Sequence, residues 1–386
     1  MTGTRIKKNR EKKTAEYFDY SLLAVLIFLI GFGLLMLYST SSYSAKMKFG
    51  DGMFYLKNQL KAYAVSFIAM WIVSNIDYHW YAKYSKAIFL AAMVVMALVF
   101  VPGVGIEAYG AKRWIKVPLM GQMQPSELMK IAIVLFIPAM ICKIGNKIGR
   151  KEGLFCILGL GAIGAAGVLF LTDNLSTAII VMGMSCIMFF VAHRKTAPFI
   201  AIGAAMIAGV FIVAQVLGKV LTDSTDFRVR RILAWVNPEM YASEGSYQSM
   251  QALYAIGSGG FFGKGLGNSA QKIIIPEAQN DMILSIICEE LGVFGMMIVL
   301  ILFGILLYRL AFIAQNAKDS YGSLIVTGIF SHIALQVIFN VCVVMNIIPT
   351  TGITLPFISY GGTAALFLMI EMGIAFNVSR TIKVAV

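Results

Sequence analysis

The stretch Pro276-Glu277-Ala278-Gln279-Asn280-Asp281-Met282-Ile283-Leu284-Ser285-Ile286-Ile287 sets a carboxylate at the threshold of an apolar run that continues to residue 308. A helix needs roughly 20 apolar residues to cross the hydrocarbon core of a bilayer, so residues 282–308 read as a membrane span. A carboxylate at its mouth loses hydration. It persists there if it faces a polar cavity or a substrate, or if it caps the helix by accepting hydrogen bonds from the first free amides. Asp281 is thus the first candidate for chemistry, with the helix cap as the alternative.

Working outward, nine more runs of spanning length lie at about 20–38, 58–76, 86–102, 125–142, 153–172, 175–192, 197–218, 322–346 and 355–378. The whole chain agrees: 59% of its 386 residues are hydrophobic and only 13% charged, with a mean hydropathy of +0.80. That excludes a soluble domain of this length. The expected fold is an all-α polytopic membrane protein of about ten transmembrane helices. Its organisation reads as a basic cytoplasmic segment (1–19), spans one to seven (20–218), a long extracytoplasmic loop (219–281), spans eight to ten (282–378) and a cytoplasmic C-terminus (379–386).

Lys and Arg set the orientation. With the N-terminus inside, the inner segments carry 18 of them, from the Arg5–Lys13 cluster through Lys83 and Lys86, Lys143–Lys151, Arg194 and Lys195, Arg309 and Lys318, to Arg380 and Lys383; the short outer loops carry six. Both termini are therefore expected in the cytoplasm of a bacterial cell, with the protein in the cytoplasmic membrane. The net charge of +13 follows from these loops and from contact with anionic membrane lipids. No nucleic-acid motif accompanies it. The first apolar run is longer than a signal-peptide core and is read as an uncleaved span.

Other chemistries find little support. The five cysteines lie in or at the ends of apolar runs without close pairing, and the three histidines are scattered. No internal duplication of the transporter kind is evident, and no phosphate-cradling loop is followed by Lys and Ser/Thr. Gly257-Ser258-Gly259-Gly260 and Gly263-Lys264-Gly265-Leu266-Gly267 sit in the expected external loop and read as backbone turns or a re-entrant segment.

The polar blocks map to one face: Gly110-Ala111-Lys112-Arg113-Trp114, Gln124-Pro125-Ser126-Glu127, Thr172-Asp173-Asn174, the 219–281 loop with Asp281, and Pro349 through Gly362. Arg113-Trp114 also fits an interfacial anchor, and Gln124-Pro125-Ser126-Glu127 a helix start. Lys130 lies within an apolar run three residues after Glu127. An unpaired ammonium there is costly, so it pairs with Glu127 or joins Lys112 and Arg113 in a pocket for a phosphorylated lipid head group. In the span after Asp281, Ser285 and Glu289 fall on roughly its side, which makes Glu289 a candidate lining the same cavity or a tie between helices.

These blocks resemble the shape, elongation, division and sporulation (SEDS) family. The resemblance covers essentially the whole chain. It rests on Gly110 to Ile115, Gln124 to Glu127 with Lys130, Arg230-Arg231 before Asn237-Pro238, Tyr247-Gln248, Ala255 to Gly260, Pro276-Glu277 through Asp281, Glu289-Glu290-Leu291-Gly292, and Leu355-Pro356-Phe357-Ile358-Ser359-Tyr360-Gly361-Gly362. It implies a ten-span peptidoglycan glycosyltransferase that polymerises lipid II into glycan strands at the outer face of the membrane. A class B penicillin-binding protein transpeptidase and other divisome or elongation membrane proteins would be its partners. Asp281 matches the family's catalytic aspartate, and Trp114 a tryptophan needed for activity. Gly267 to Lys272 and Thr351 to Pro356 look more like the division and sporulation branch (FtsW- and SpoVE-like) than the elongation branch (RodA-like), which stays as the alternative. Gln279-Asn280 stands where the family usually has His-Thr. Asp173-Asn174 replaces the usual Pro-Asp, so the 172–177 turn is given no role.

The expected chemistry is inverting: a sugar hydroxyl attacks an anomeric carbon and displaces a polyprenyl pyrophosphate, with Asp281 as general base. Lys112, Arg113 and Lys130, with Arg228, Arg230 and Arg231 behind them, are candidates to stabilise the departing charge. Trp114, Gln124, Glu127, Glu277 and Glu289 complete the substrate-binding candidates. No metal-ligand cluster is evident, and a divalent cation (Mg or Mn) is left open. A lipid II flippase or transporter and a non-catalytic division scaffold are the rivals. A transporter would line a polar path to both faces, and a scaffold would not need Asp281.

Overall fold

The computed structural model describes residues 14–108, 111–117, 121–193, 209, 212, 227–236 and 246–385. The expected seventh run, 197–218, lies almost entirely outside them. The described helices are α1 (Tyr20–Phe49), α2 (Phe54–Ser74), α3 (Tyr78–Ala97), α4 (Pro125–Ile144), α5 (Lys151–Thr172), α6 (Leu175–Ala192), α7 (Phe227–Val236), α8 (Tyr247–Gly259), α9 (Gln271–Ile274), α10 (Ile283–Asn316), α11 (Ser320–Val344) and α12 (Gly362–Arg380). Eight of them (α1, α3, α4, α5, α6, α10, α11 and α12) are long and apolar enough to cross a membrane. The chain is a multi-pass membrane protein. Helix α2 has 21 residues, about 31 Å at 1.5 Å per residue, but Lys57 and Lys61 in its first half keep it outside that group.

Local chemistry explains where several helices begin. Asp19 accepts from the Leu22 amide at 2.9 Å, Asn174 from Thr177 at 3.1 Å and Asp319 from Gly322 at 2.9 Å, each satisfying a donor that the helix cannot. Helix α4 starts with Pro125 at its first position, where a missing N–H costs nothing. The most buried helices, α4, α11 and α12, form the centre of the assembly. Helix α2 lies against α12, where Gly373 lets the backbones meet: a Cβ there would stand 2.7 Å from the Met70 carbonyl oxygen.

Contacts sort the loops into two ends. At one end, β1 (Thr14–Glu16) pairs antiparallel with β5 (Lys383–Ala385). Arg309 binds Asp19 at 2.7 Å, the Tyr78 hydroxyl donates to Asp319, and Asn377 donates to the Ser74 carbonyl at 2.9 Å. At the other end, β2 (Gly105–Ala108), β3 (Ala111–Val117) and β4 (Gly121–Met123) form a three-stranded antiparallel sheet between α3 and α4. The hydrophobic pattern did not anticipate this sheet, because its strands are short and polar.

The apolar run after Asp281 is not one continuous helix, which corrects the sequence expectation. Gly292 (φ 71°, ψ −171°) breaks α10 into a nine-residue inner piece, 283–291, buried through Glu290, and a long second piece that reaches Arg309 and Asn316. The glycine-rich segment 259–265 fills the gap. Amides of Lys264 and Gly265 donate to the carbonyls of Glu289 and Glu290 at 2.9 Å each, and amides of Val293 and Phe294 donate to the carbonyls of Gly260 and Phe261 at 3.0 Å each. Backbone groups freed by a break at membrane depth must be satisfied by protein, and here they are.

Candidate active site

Asp281 lies two residues before the first helical residue of α10, and no side chain caps that helix. The capping alternative is therefore not formed. The residue is held by its backbone: the buried Asn340 side chain donates through Nδ2 to the carbonyls of Asp281 and Ile353, at 2.8 Å each. One residue group upstream, the Tyr360 amide donates to the Gln279 carbonyl at 2.9 Å. Glu277, in a left-handed turn (φ 49°), accepts from the Asn280 amide group at 2.8 Å. The short segment 276–281 is thus clamped between α11 and the 349–361 segment.

The carboxylate itself meets polar partners. Gln248 of α8 donates to Asp281 Oδ1 at 3.4 Å. Burial pushes its pKa up to about 6 and Glu277 adds to the rise, while its own amide, Arg231 and Gln248 pull the other way. A carboxyl in that range can exchange protons near neutral pH.

Two guanidiniums share this neighbourhood. Arg231 of α7 donates to the Thr350 carbonyl at 3.1 Å, and Arg113 of β3 donates to the Asp173 carbonyl at 2.9 Å. Burial lowers the pKa of Arg231 and the charge of Arg113 adds to that, whereas Asp281 opposes it. Each Arg is oriented by a backbone carbonyl, and their like charges are close enough to feel each other. Ser176, which donates to the Thr351 carbonyl at 2.9 Å, ties α6 to the same segment. A Cβ on Gly352 would stand 3.9 Å from Asp281 Oδ2, so this loop borders the carboxylate.

Sequence reasoning named Asp281, Arg113, Arg231 and Glu277, and the structure sets Glu277 and Arg231 near Asp281, with Arg113 next to Arg231. It quoted Gln248 and the 350–353 stretch within larger blocks but gave them no part in the site, and it did not name Asn340. Asn340 had a signal, a polar side chain inside an apolar run, which marks a position that must find a partner. Lys130 is 2% exposed and binds Glu127 at 2.8 Å, so the ion pair is the arrangement formed. Trp114 is half-buried on β3 and Lys112 is exposed there, while Gln124 precedes α4. Arg228 falls within α7, but its side chain lies outside the described residues, as does that of Arg230.

Glu289 departs from the expectation that it lines the Asp281 cavity. It is fully buried and accepts from Lys264 at 2.7 Å, from the Ser269 hydroxyl, and from the amides of Ala270 and Gln271 at 3.3 and 3.1 Å. Glu290 binds Lys272 at 3.3 Å and accepts from the Ser39 hydroxyl. The pair of carboxylates fastens segment 264–272 to the inner piece of α10. Of the two readings of Glu289, the tie is the one formed, with a polar segment alongside where another helix was expected.

Among the described residues, no three His, Cys, Asp or Glu side chains converge on a point that could hold a metal ion. Beside Asp281 the neighbouring charges are Arg231 and Glu277, and Arg113 stands next to Arg231, so the two guanidiniums form a patch that suits an anion.

Comparison with known proteins agrees with this fold. The sequence profile of the FtsW/RodA/SpoVE cell cycle proteins matches residues 20–384. Stage V sporulation protein E of Bacillus subtilis is 38% identical over 371 residues, 96% of this chain and 98% of that protein. A probable peptidoglycan glycosyltransferase FtsW of Geobacter sp. (strain M18) is 35% identical over 374 residues, covering 96% and 99%. Among solved structures, a chain of a peptidoglycan synthase complex that coordinates polymerization and crosslinking superposes with a TM-score of 0.76 at 22% identity, covering 94% of this chain and 98% of that one.

Proposed function

Because the chain belongs to the FtsW/RodA/SpoVE family, we propose that it is a peptidoglycan glycosyltransferase that polymerises lipid II, with Asp281 as general base. The observation that carries this reading is a buried carboxyl, its pKa pushed up to about 6, beside the Arg231 guanidinium, with Arg113 next to Arg231 and each guanidinium fixed by a backbone carbonyl. A sugar hydroxyl placed at Asp281 loses its proton to the carboxylate as its oxygen attacks the anomeric carbon, and configuration inverts. The polyprenyl pyrophosphate leaves with growing negative charge. Arg113 and Arg231, already oriented, stabilise that charge more in the transition state than in the ground state. No step is routed through a metal. Lys130, paired with Glu127, supports α4 beside the sheet that carries Arg113.

The active site would face the cell exterior, both termini the cytoplasm, and a class B penicillin-binding protein would supply crosslinking. The solved synthase complex of similar fold supports that last point. Likeness to SpoVE and FtsW chains favours a role in division or sporulation.

The test is glycan-chain synthesis from purified lipid II by the full-length protein with its transpeptidase partner. Asp281→Asn is expected to insert and fold normally while polymerisation drops by at least about 10²-fold, the general-base contribution. Wild-type rates in the Asn variant would remove Asp281 from the mechanism. Lipid translocation without any polymer from the wild type would turn the reading to the flippase.

A further inference from the structure

At the same end of the assembly as Asp281, a cleft of about 560 Å³ opens between the end of α1 and the segment before α9. None of its lining residues belongs to the Asp281 cluster. From α1 come Tyr38, Ser42, Tyr43 and Lys46; from the facing segment come Asn268 and Lys272, with Ser269 and Ile273 beside them. We infer that this cleft binds the phosphate head group of an anionic membrane lipid.

Charge is the first argument. Lys46 is exposed at the helix end and, among the described residues, takes part in no ion pair. Lys272 is nearly buried and bridges the Gly267 carbonyl at 2.6 Å and Glu290 at 3.3 Å, so its position is fixed before any ligand arrives. Two ammonium groups flank a cleft that also carries the hydroxyls of Tyr38, Tyr43 and Ser42, while the Asn268 amide group donates to the Lys264 carbonyl at 3.0 Å and the Ser269 hydroxyl to Glu289. The ammonium groups and the three hydroxyls donate hydrogen bonds and suit a phosphate diester.

Surroundings are the second. Ile273 of the lining is an exposed large apolar side chain, Met47 and Phe49 follow Lys46 as exposed apolar side chains at the end of α1, and the two tyrosines are themselves open. At the end of a membrane span, aromatic rings and lysines mark head-group depth. The volume falls in the range of small-molecule sites. A soluble anion would use the lysines but not the apolar side chains; a lipid uses both.

The wall is also firmly built. The Gly267 amide donates to Ser39 Oγ at 3.1 Å, and the Ser39 hydroxyl in turn donates to Glu290. The cleft is therefore a fixed feature joined to the inner piece of α10.

Native mass spectrometry of the full-length protein with dioleoyl phosphatidylglycerol or dioleoyl phosphatidylcholine tests this without turnover, so the result is independent of the proposed activity. One phosphatidylglycerol should be retained in preference to phosphatidylcholine. Lys46→Glu should weaken it about tenfold, Lys46→Gln less, and Tyr43→Ala measurably. Lys48→Glu, the same charge change two residues away but off the cleft, should leave it unchanged. Unaltered melting temperatures establish that the variants fold. Equal loss in Lys46→Glu and Lys48→Glu, or equal retention of the zwitterionic lipid, would overturn the site. Complete displacement by inorganic phosphate would show a soluble-anion site and overturn the lipid assignment.

Discussion

In the proposed mechanism a single carboxyl, Asp281, carries the base chemistry, and its environment makes two measurable statements. The base form of Asp281 grows as pH rises through about 6, so the polymerisation rate should fall roughly tenfold per pH unit below that point and level off above it. Stability runs the opposite way. The folded-state pKa lies above the ordinary 3.8, so the folded protein holds this proton more tightly than the unfolded chain. The stability this contributes is fully present below about 3.8 and is lost as pH rises through about 6. Asp281→Asn should therefore melt higher than wild type at pH 8, and the advantage should vanish near pH 4. A variant that melts lower at pH 8 would contradict the burial argument. Asn340 is the other residue on which the site depends. Asn340→Leu leaves the carbonyls of Asp281 and Ile353 without their donor, which should cost about 1–3 kcal/mol. It should also lower kcat more than it raises KM, because the carboxylate is misplaced. Unchanged kcat in a destabilised variant would make Asn340 merely structural. Asp281 was legible in the sequence because a carboxylate stood before an apolar run. Asn340 was not assigned, because its partner is a backbone carbonyl 59 residues away, and no local pattern encodes that.

The elements show where periodicity reads well and where it does not. Helix starts at Asp19, Pro125 and Asp319 follow from caps and first-turn chemistry visible in the chain. The break at Gly292 does not, since apolar Leu291 and Val293 flank it and the helical pattern runs through it despite Glu289 and Glu290. What permits the break is a remote glycine-rich segment that takes over the interrupted hydrogen bonds. Glycine is required there for a specific reason. A Cβ on Gly263 (φ 79°) would sit 2.2 Å from the Glu290 carbonyl oxygen, and one on Gly292 (φ 71°) 2.2 Å from that of Phe261. Gly263→Ala and Gly292→Ala should each destabilise by on the order of 2–4 kcal/mol. Gly257→Ala, with nothing within 4 Å of its Cβ position, should be neutral or slightly stabilising. Thermal melting of the three variants in one detergent checks this. Equal melting temperatures would mean that the segment does not brace the break.

At the scale of the whole molecule, the polar features divide between two ends, and the division carries an orientation. One end gathers the β1–β5 pair, Asp19 with Arg309, and Tyr78 with Asp319. The other gathers Arg113 with Asp173, Ser176 with Thr351, and Asn340 with Asp281. The Lys and Arg count favours the first end as cytoplasmic, with 18 against six in the short loops opposite. The charge asymmetry was legible in the sequence because it needs no tertiary knowledge, whereas the three-stranded sheet at the second end needed contacts across strands of three to seven residues. Single cysteines introduced at two exposed lysines, in a background lacking the five native cysteines, read the orientation directly. In intact cells Lys112→Cys should react with a membrane-impermeant maleimide, and Lys318→Cys should react only after permeabilisation. The reverse pattern would place Asp281 on the cytoplasmic side, where an enzyme extending glycan strands outside the membrane could not use it.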